Sequence, residues 1–291
     1  MKKLIDLHTH TNYSDGVWTL KELLKEAEKN KVTILSITDH DTVDAHKELR
    51  KNNYKEIFKG RIIPGAEFNA VFEGTKIELL GYKIDIDKID TWCKKTYKEN
   101  PKYKLDLDNE FKILVNSCKK NNVKIDDIKY NKAMGWPIDT IYKNIKKYPE
   151  NKKLFKEIEW NDKDIFFRNC TCNPKFPAYL DFSSMLPTAK EVSNTIREAN
   201  GLVFIAHLFV YPLEEYKEFL DKLREENIID GVEVYYSKFT SEQIKFLEDY
   251  CKKYNLLMSG GTDCHGKKEK GIHVGIGYGN MNIKESQITW L

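Results

Sequence analysis

One pattern recurs along this chain: a short apolar run of β character ends, and a histidine or a carboxylate follows at once. Leu4 to Leu7 leads into His8-Thr9-His10, and Val32 to Ile37 leads into Thr38-Asp39-His40-Asp41. Arg61 to Ile63 leads into Pro64-Gly65-Ala66-Glu67, Leu202 to Ala206 into His207, and Leu256 to Met258 into Gly260-Gly261-Thr262-Asp263-Cys264-His265. Five of the seven histidines fall in these clusters. A fold that accommodates the pattern must gather the C-terminal ends of several strands at one rim, the place where open α/β sheets and barrels build their sites.

Helical patterns separate the runs. Thr19-Leu20-Lys21-Glu22 is a capping box, and Leu20, Leu23, Leu24 and Ala27 repeat at helical spacing, which predicts a helix over 20–30. Residues 42–52 read as a second helix, and Glu67 to Tyr82, after a Pro64-Gly65 turn, as paired strands around Glu73-Gly74. Such alternation favours a parallel sheet with helical crossovers. Over residues 85–186 the character changes: Lys, Asn and Tyr abound, histidine is absent, and Gly135-Trp136-Pro137 and Pro149 break the pattern. This stretch is expected to be an inserted, mainly helical subdomain. The alternation then resumes with a capping box at Thr188-Ala189-Lys190-Glu191, a strand to Ala206, and helices near 213–226 and 240–254 flanking a strand from Gly231 to Tyr236. Residues 1–84 and 187–291 therefore read as one domain interrupted by the middle.

Charge and cysteine usage remove several classes of function. Forty-eight basic against 45 acidic residues leave a net charge of only +3, spread without a basic tail. No dense basic patch with interleaved aromatics stands out, so no stable nucleic-acid partner is expected, while a slight positive surplus suits an anionic substrate. No run approaches the ~20 apolar residues that cross a bilayer, and Leu4 and Ile5 are too few before Asp6 for a signal-peptide core. A cytoplasmic protein with no membrane partner is expected. The six cysteines contain no C-x-x-C pair and read as reduced thiols, with metal binding by Cys170-Thr-Cys172 as a weaker alternative and Cys264 as a small packing residue.

Histidines at i and i+2 of a strand share one face, so His8 and His10 can serve one metal. Asp15, His40, Glu67, His207, Asp263 and His265 keep them company, and the virtual absence of thiolates from the set suits Zn, Mn or Fe chemistry better than a structural zinc knot. Such an ion lowers the pKa of a bound water toward neutrality, so that hydroxide becomes available and no side-chain nucleophile is required. Asp6 and Asp39, each beside a ligand candidate, are either partners that orient imidazole N–H groups or solvated strand-end residues.

The segments Asp6-Leu-His-Thr-His-Thr-Asn-Tyr-Ser-Asp-Gly16, Ile37-Thr-Asp-His-Asp-Thr42, Pro64-Gly-Ala-Glu67, Ala206-His207 and Gly261-Thr-Asp-Cys-His-Gly266 resemble PHP-domain (polymerase and histidinol phosphatase) phosphoesterases. They particularly resemble the stand-alone branch that includes nucleoside 3′,5′-bisphosphate phosphatases and oligonucleotide-trimming enzymes. The resemblance implies a distorted (β/α)7 TIM-like barrel with two or three divalent ions (Mn, Fe or Zn) at its rim and the helical insertion over it. By the same resemblance His8, His10, Glu67 and Asp263 would hold one ion, and Asp15, His40 and His265 another, while Glu67 would bridge to a middle ion that also takes His207. Glu67, Asp263 and His207 would carry the catalysis. The remaining ligand of the middle ion is usually a histidine; Glu78, in Ile77-Glu-Leu-Leu-Gly-Tyr82, stands there instead, and either ligates through oxygen or weakens that site. Arg168, Lys175 and Lys238 are candidates for gripping phosphate, with a surface cation as the alternative reading of Arg168 and Lys175.

The family's phosphate-binding Arg and His are replaced here by Trp136 and Ile138, and a further His by Phe239. The leading expectation is a phosphatase acting on a small phosphorylated metabolite such as a nucleotide. The alternatives are a 5′-3′ exonuclease on short oligonucleotides, and a protein that binds metal and a phosphorylated ligand without turnover. His46 and His273, outside every motif, read as structural or surface residues.

Overall fold

The computed structural model describes residues 4–100, 102–103, 107–173, 175–266 and 271–291. Seven strands form one sheet in chain order: β1 (Leu4–Asp6), β2 (Val32–Ile37), β3 (Arg61–Phe72), β4 (Thr75–Tyr82), β5 (Leu202–Ile205), β6 (Gly231–Tyr236) and β7 (Leu257–Gly261). The first three pair in parallel, β4 runs antiparallel to both β3 and β5, and β5, β6 and β7 are again parallel. Beyond the ends of β1 and β7 the chain keeps pairing: Leu7 donates its N–H to Gly260 O at 3.1 Å, Asp263 donates to His8 O at 2.8 Å, and Thr9 bridges Cys264 in parallel. Gly261 permits this approach, since a Cβ there would lie 2.3 Å from the backbone nitrogen of His8.

The helices are α1 (Leu20–Lys29), α2 (Asp44–Lys51), α3 (Ile86–Cys93), α4 (Leu107–Lys120), α5 (Pro137–Ile145), α6 (Glu157–Asn161), α7 (Lys163–Phe166), α8 (Ala189–Glu198), α9 (Tyr216–Glu225) and α10 (Ser241–Tyr254). Both capping boxes form as the sequence predicts: Thr19 Oγ1 accepts from Glu22 N and Thr188 Oγ1 from Glu191 N, while each glutamate returns a carboxylate to the cap N–H. Leu20, Leu23, Leu24 and Ala27 are the buried stripe of α1, packed against Val32, Leu35 and Ile37. The main core joins β3 to β7 with α8, α9 and α10, through residues such as Phe68, Leu80, Tyr82, Val192, Phe204 and Leu223.

Pro64-Gly65 differs from expectation. The sequence suggests a turn, whereas β3 runs unbroken through both residues. The parallel ladder with β2 ends at the Ile37 and Pro64 pair and the antiparallel ladder with β4 begins at Gly65. Proline, which has no N–H to give, thus stands where the strand changes partners, and Gly65 lets Ser36 approach, its Oγ lying 2.4 Å from where a Cβ would be. The expected hairpin turn does form at Glu73-Gly74, both with left-handed backbone (φ 48° and 76°).

Between Ile86 and Ser184 every regular element is helical among the described residues. Apart from α3, these elements bury a second cluster, including Phe111, Leu114, Ile141, Phe166 and Leu180, which reaches the sheet through Val71.

Candidate metal centre

Each strand delivers part of one constellation. His8 and His10 follow β1, His40 follows β2, Glu67 lies in β3 and Glu78 in β4, His207 follows β5, Glu233 lies in β6, and Asp263 and His265 follow β7. Three groups of donor atoms result, the atoms of each within 4.8 Å of one another: His8, His10, Glu67 and Asp263; His10, Asp15, His40 and His265; and Glu67, Glu78 and His207. The structure thus brings together all nine residues in which the resemblance implies metal ligands.

In the first group His8 Nε2 lies 3.1 Å from Glu67 Oε2 and 3.4 Å from Asp263 Oδ1, and His10 Nε2 lies 3.3 and 3.0 Å from the same two oxygens. The two imidazole Nε2 atoms stand 3.1 Å apart. Donors about 2.1 Å from a shared tetrahedral centre are separated by roughly 3.4 Å, so the spacing is that of ligands around one cation. In the second group His265 Nε2 is 3.1 Å from Asp15 Oδ2, with His10 Nδ1 and His40 Nε2 3.7 and 4.0 Å from Asp15 Oδ1. In the third, His207 Nε2 is 3.0 Å from Glu67 Oε1 and 3.6 Å from Glu78 Oε2. Glu67 faces the first group through one oxygen and the third through the other, the geometry of a bridging carboxylate.

Charge is concentrated here. Burial opposes a proton on His8, yet the Glu233, Glu67 and Asp263 carboxylates hold its pKa well above the ordinary value. Burial likewise works against the charge on His10, and hydrogen bonds to Asp263 and Glu67 lift it to about 10. Burial would raise Glu67 and Asp263; His8 and His40 hold Glu67 far below the usual carboxylate range, and His8 and His10 do so for Asp263. A divalent cation would satisfy the same carboxylates and displace the imidazole protons. Three buried ring nitrogens, Nδ1 of His10, His40 and His207, have no hydrogen-bond partner among the described residues. The donors, imidazole and carboxylate without thiolate, suit Mn, Fe or Zn.

Two ligand candidates stand on left-handed backbone, His207 at φ 22° and Asp263 at φ 56°. Such backbone costs on the order of 1–3 kcal/mol each and must be held by its surroundings. Asp263 N–H is fixed on His8 O, and His207 N–H donates to Glu233 Oε2 at 2.7 Å.

The carboxylate that orients an imidazole is Glu233, which the sequence reading does not single out. Its Oε1 lies 2.8 Å from His8 Nδ1, so Glu233 fixes a ligand of the first group and the backbone of a ligand of the third. The signal in the sequence is a lone charge in Gly231-Val-Glu-Val-Tyr-Tyr236, a strand buried throughout. Asp6 and Asp39 do not touch an imidazole among the described contacts. Asp6 accepts from the backbone N–H groups of His8, Thr262 and Gly275 and from the Thr262 hydroxyl; Asp39 accepts from Thr11 and Ser14. Both satisfy loop donors that burial would otherwise orphan. Tyr236 donates its hydroxyl to Asp263 Oδ2 at 2.9 Å, a contact that also lay outside the sequence reading.

Of the expected phosphate-gripping residues, Arg168 reaches the centre, where its Nη1 donates to Glu78 Oε2 at 3.0 Å. Lys175 lies outside the three groups, largely exposed and paired with Glu214 at 2.6 Å. Lys238 is exposed in the turn after β6. Trp136 is exposed, Ile138 is packed into the helical cluster, and Phe239 packs edge-on against Tyr236 with ring centroids 4.9 Å apart. His46 is buried and His273 exposed. All six cysteines are free and buried. The centre opens at the second group: the Asp15 side chain is 43% exposed against 1% for Glu67.

The model of the PHP domain family matches residues 6–155, more than half of the chain. The phosphoribosyl 1,2-cyclic phosphate 1,2-diphosphodiesterase of Eggerthella lenta is 24% identical over 93% of this chain and 97% of its own length, and a 5′-3′ exoribonuclease of Haemophilus influenzae is 27% identical over 91% of each. The 5′-3′ exoribonuclease Rnm of Salmonella typhimurium is 39% identical over 83 residues, 28% of this chain and 28% of that relative's length. Among solved structures, a candidate metal-dependent phosphoesterase from Bifidobacterium adolescentis superposes with a TM-score of 0.62 at 22% identity, covering 94% of this chain and 92% of that one.

Proposed function

The chain belongs to the PHP domain family, and on that footing we propose that it is a metal-dependent phosphoesterase with the three donor groups as its centre. The observation that carries the reading is the bridging position of Glu67, 3.1 Å from His8 Nε2 through one oxygen and 3.0 Å from His207 Nε2 through the other. Divalent ions in these groups would supply a Lewis acid and a nucleophile formed from water. His8, His10, Glu67 and Asp263 would hold one ion, Asp15, His40 and His265 a second. Glu233 keeps His8 presenting Nε2, Tyr236 ties down the outer oxygen of Asp263, and the exposed Asp15 side marks where substrate enters.

The preferred substrate class is a small phosphorylated metabolite or nucleotide, held in part by positive charge on the helical segment that carries Arg168. A second reading, a 5′-3′ exonuclease on short oligonucleotides, draws support from the likeness of the whole chain to the exoribonuclease of Haemophilus influenzae. A further part of the proposal is architectural. The pairing of Leu7 with Gly260 and of Thr9 with Cys264 supports a sheet closed into a distorted (β/α)7 barrel from residues 1–84 and 187–291, with 85–186 as a helical insertion over its rim. No helix is long and apolar enough to cross a membrane among the described residues; six free buried thiols support a reducing, cytoplasmic location.

Incubation of the Mn-loaded protein with a nucleoside 3′,5′-bisphosphate and, separately, with a 5′-phosphorylated tetranucleotide tests the substrate class. Phosphate release from the first with the tetranucleotide intact is the expected result. Stepwise shortening of the tetranucleotide, faster than phosphate release from the bisphosphate, would overturn it in favour of the second reading.

A further inference from the structure

The third donor group differs from the other two in what surrounds it. Glu78 is buried, and two cations already neutralise it: Lys76 Nζ at 2.7 Å from Oε1, and Arg168 Nη1 at 3.3 Å from Oε1 and 3.0 Å from Oε2. Lys76 comes from the same strand two residues earlier, so both side chains lie on one face of β4, and its side chain is only 11% exposed. Arg168 comes from the helical segment, 90 residues away in the chain, and crosses to the sheet to make this pair. In the first group the partners of Glu67 and Asp263 are instead histidines and the Tyr236 hydroxyl.

A divalent ion ligated by His207, Glu67 and Glu78 would bring two positive charges to a carboxylate that already carries two. Its ligand bond to Glu78, at about 2.1 Å, would set it within a few ångströms of both the ammonium and the guanidinium, in a buried place where like charges are poorly screened. Ammonium plus guanidinium equals the charge of one divalent ion. Glu78 is therefore fully matched without metal, and Lys76 and Arg168 supply next to Glu67 and His207 the positive charge that an ion would supply. Arg168 has the planar guanidinium geometry that recognises phosphoryl oxygens.

We propose that this chain holds two metal ions rather than three, and that the Lys76 and Arg168 pair on Glu78 takes the place of the third as the cationic support for the substrate phosphoryl group. The inference rests on the phosphoesterase reading above. Glu78 is then a tether for Arg168 rather than a ligand, and the third group is completed by protein charge.

Metal counting tests this apart from activity. The protein is stripped with chelator, reloaded with Mn, desalted and assayed for Mn per chain by mass spectrometry, alongside Glu78→Gln and the double variant Lys76→Met/Arg168→Met, with circular dichroism as the check on folding. Two ions per chain are expected in the wild type and in Glu78→Gln, and three in the folded double variant, where Glu78 is released to ligate. Three ions in the wild type falling to two in Glu78→Gln would overturn the inference while leaving the phosphoesterase reading intact. A folded double variant that stays at two would also overturn it, since the cations would then not be what excludes the ion. Fewer than two ions in the wild type would overturn both the inference and the metal-centre reading beneath it.

Discussion

At the scale of single residues, the centre depends on groups that do not themselves face an ion. Glu233 is the clearest: one buried carboxylate fixes the ring of His8 and the left-handed backbone of His207, two ligand candidates from different donor groups. Losing an orienting carboxylate behind a ligating histidine typically weakens metal affinity about 10–100-fold. Glu233→Gln is expected to weaken Mn binding, read by calorimetry, by that factor with the fold retained, and unchanged affinity would remove Glu233 from the account. The ligand candidates themselves were legible because each is a polar residue ending an apolar run. Glu233 was not, because its partner His8 lies 225 residues away and nothing local distinguishes an orienting carboxylate from any polar residue in a strand. The same limit explains Asp6 and Asp39: adjacency to a ligand suggested contact with its ring, whereas nearby backbone donors at Thr262, Gly275 and Thr11 took both carboxylates.

At the scale of elements, local chemistry set boundaries and long-range pairing set connections. The boxes at Thr19 and Thr188 start α1 and α8 where the sequence places them, because a cap needs only its own four residues. Pro64-Gly65 was misread as a turn because the reason for a proline within β3, the change of partner from β2 to β4, lies in strands that the local sequence does not contain. Helix α4 adds a testable electrostatic feature. Glu110 is buried there, and burial pushes its pKa up to about 7 from 4.5. The folded state then keeps a proton that the unfolded chain gives up, so the contribution of this one group to stability is most favourable below pH ~4.5, falls as pH rises toward ~7 and is level above. The total loss is at most about 3 kcal/mol. Glu110→Gln is expected to flatten that part of the pH–stability curve in urea unfolding and to be the more stable protein at pH 8. An unchanged slope between pH 5 and 7 would contradict the assignment.

At the scale of the whole molecule, the arrangement of the site is a consequence of topology. Seven strands in chain order, six of them parallel to a common direction apart from the reversed β4, place the residues that follow β1, β2, β5 and β7 around Glu67. The long helical stretch between β4 and β5 costs this geometry nothing, since it leaves the sheet after Tyr82 and returns at Leu202, and through Arg168 it contributes a cation to the centre. The central claim is that the donor groups gathered on Glu67 form a metal centre that hydrolyses phosphoesters. It is tested most directly by the rate of phosphate release from a nucleoside bisphosphate by the wild type and Asp263→Ala, each assayed after chelation and again after addition of Mn. The account predicts that chelation abolishes wild-type activity, that Mn restores it, and that Asp263→Ala remains at least about 100-fold slower with Mn present, as expected for loss of a group that holds the reacting centre. Turnover that survives chelation, or an Asp263→Ala variant as active as the wild type, would contradict it.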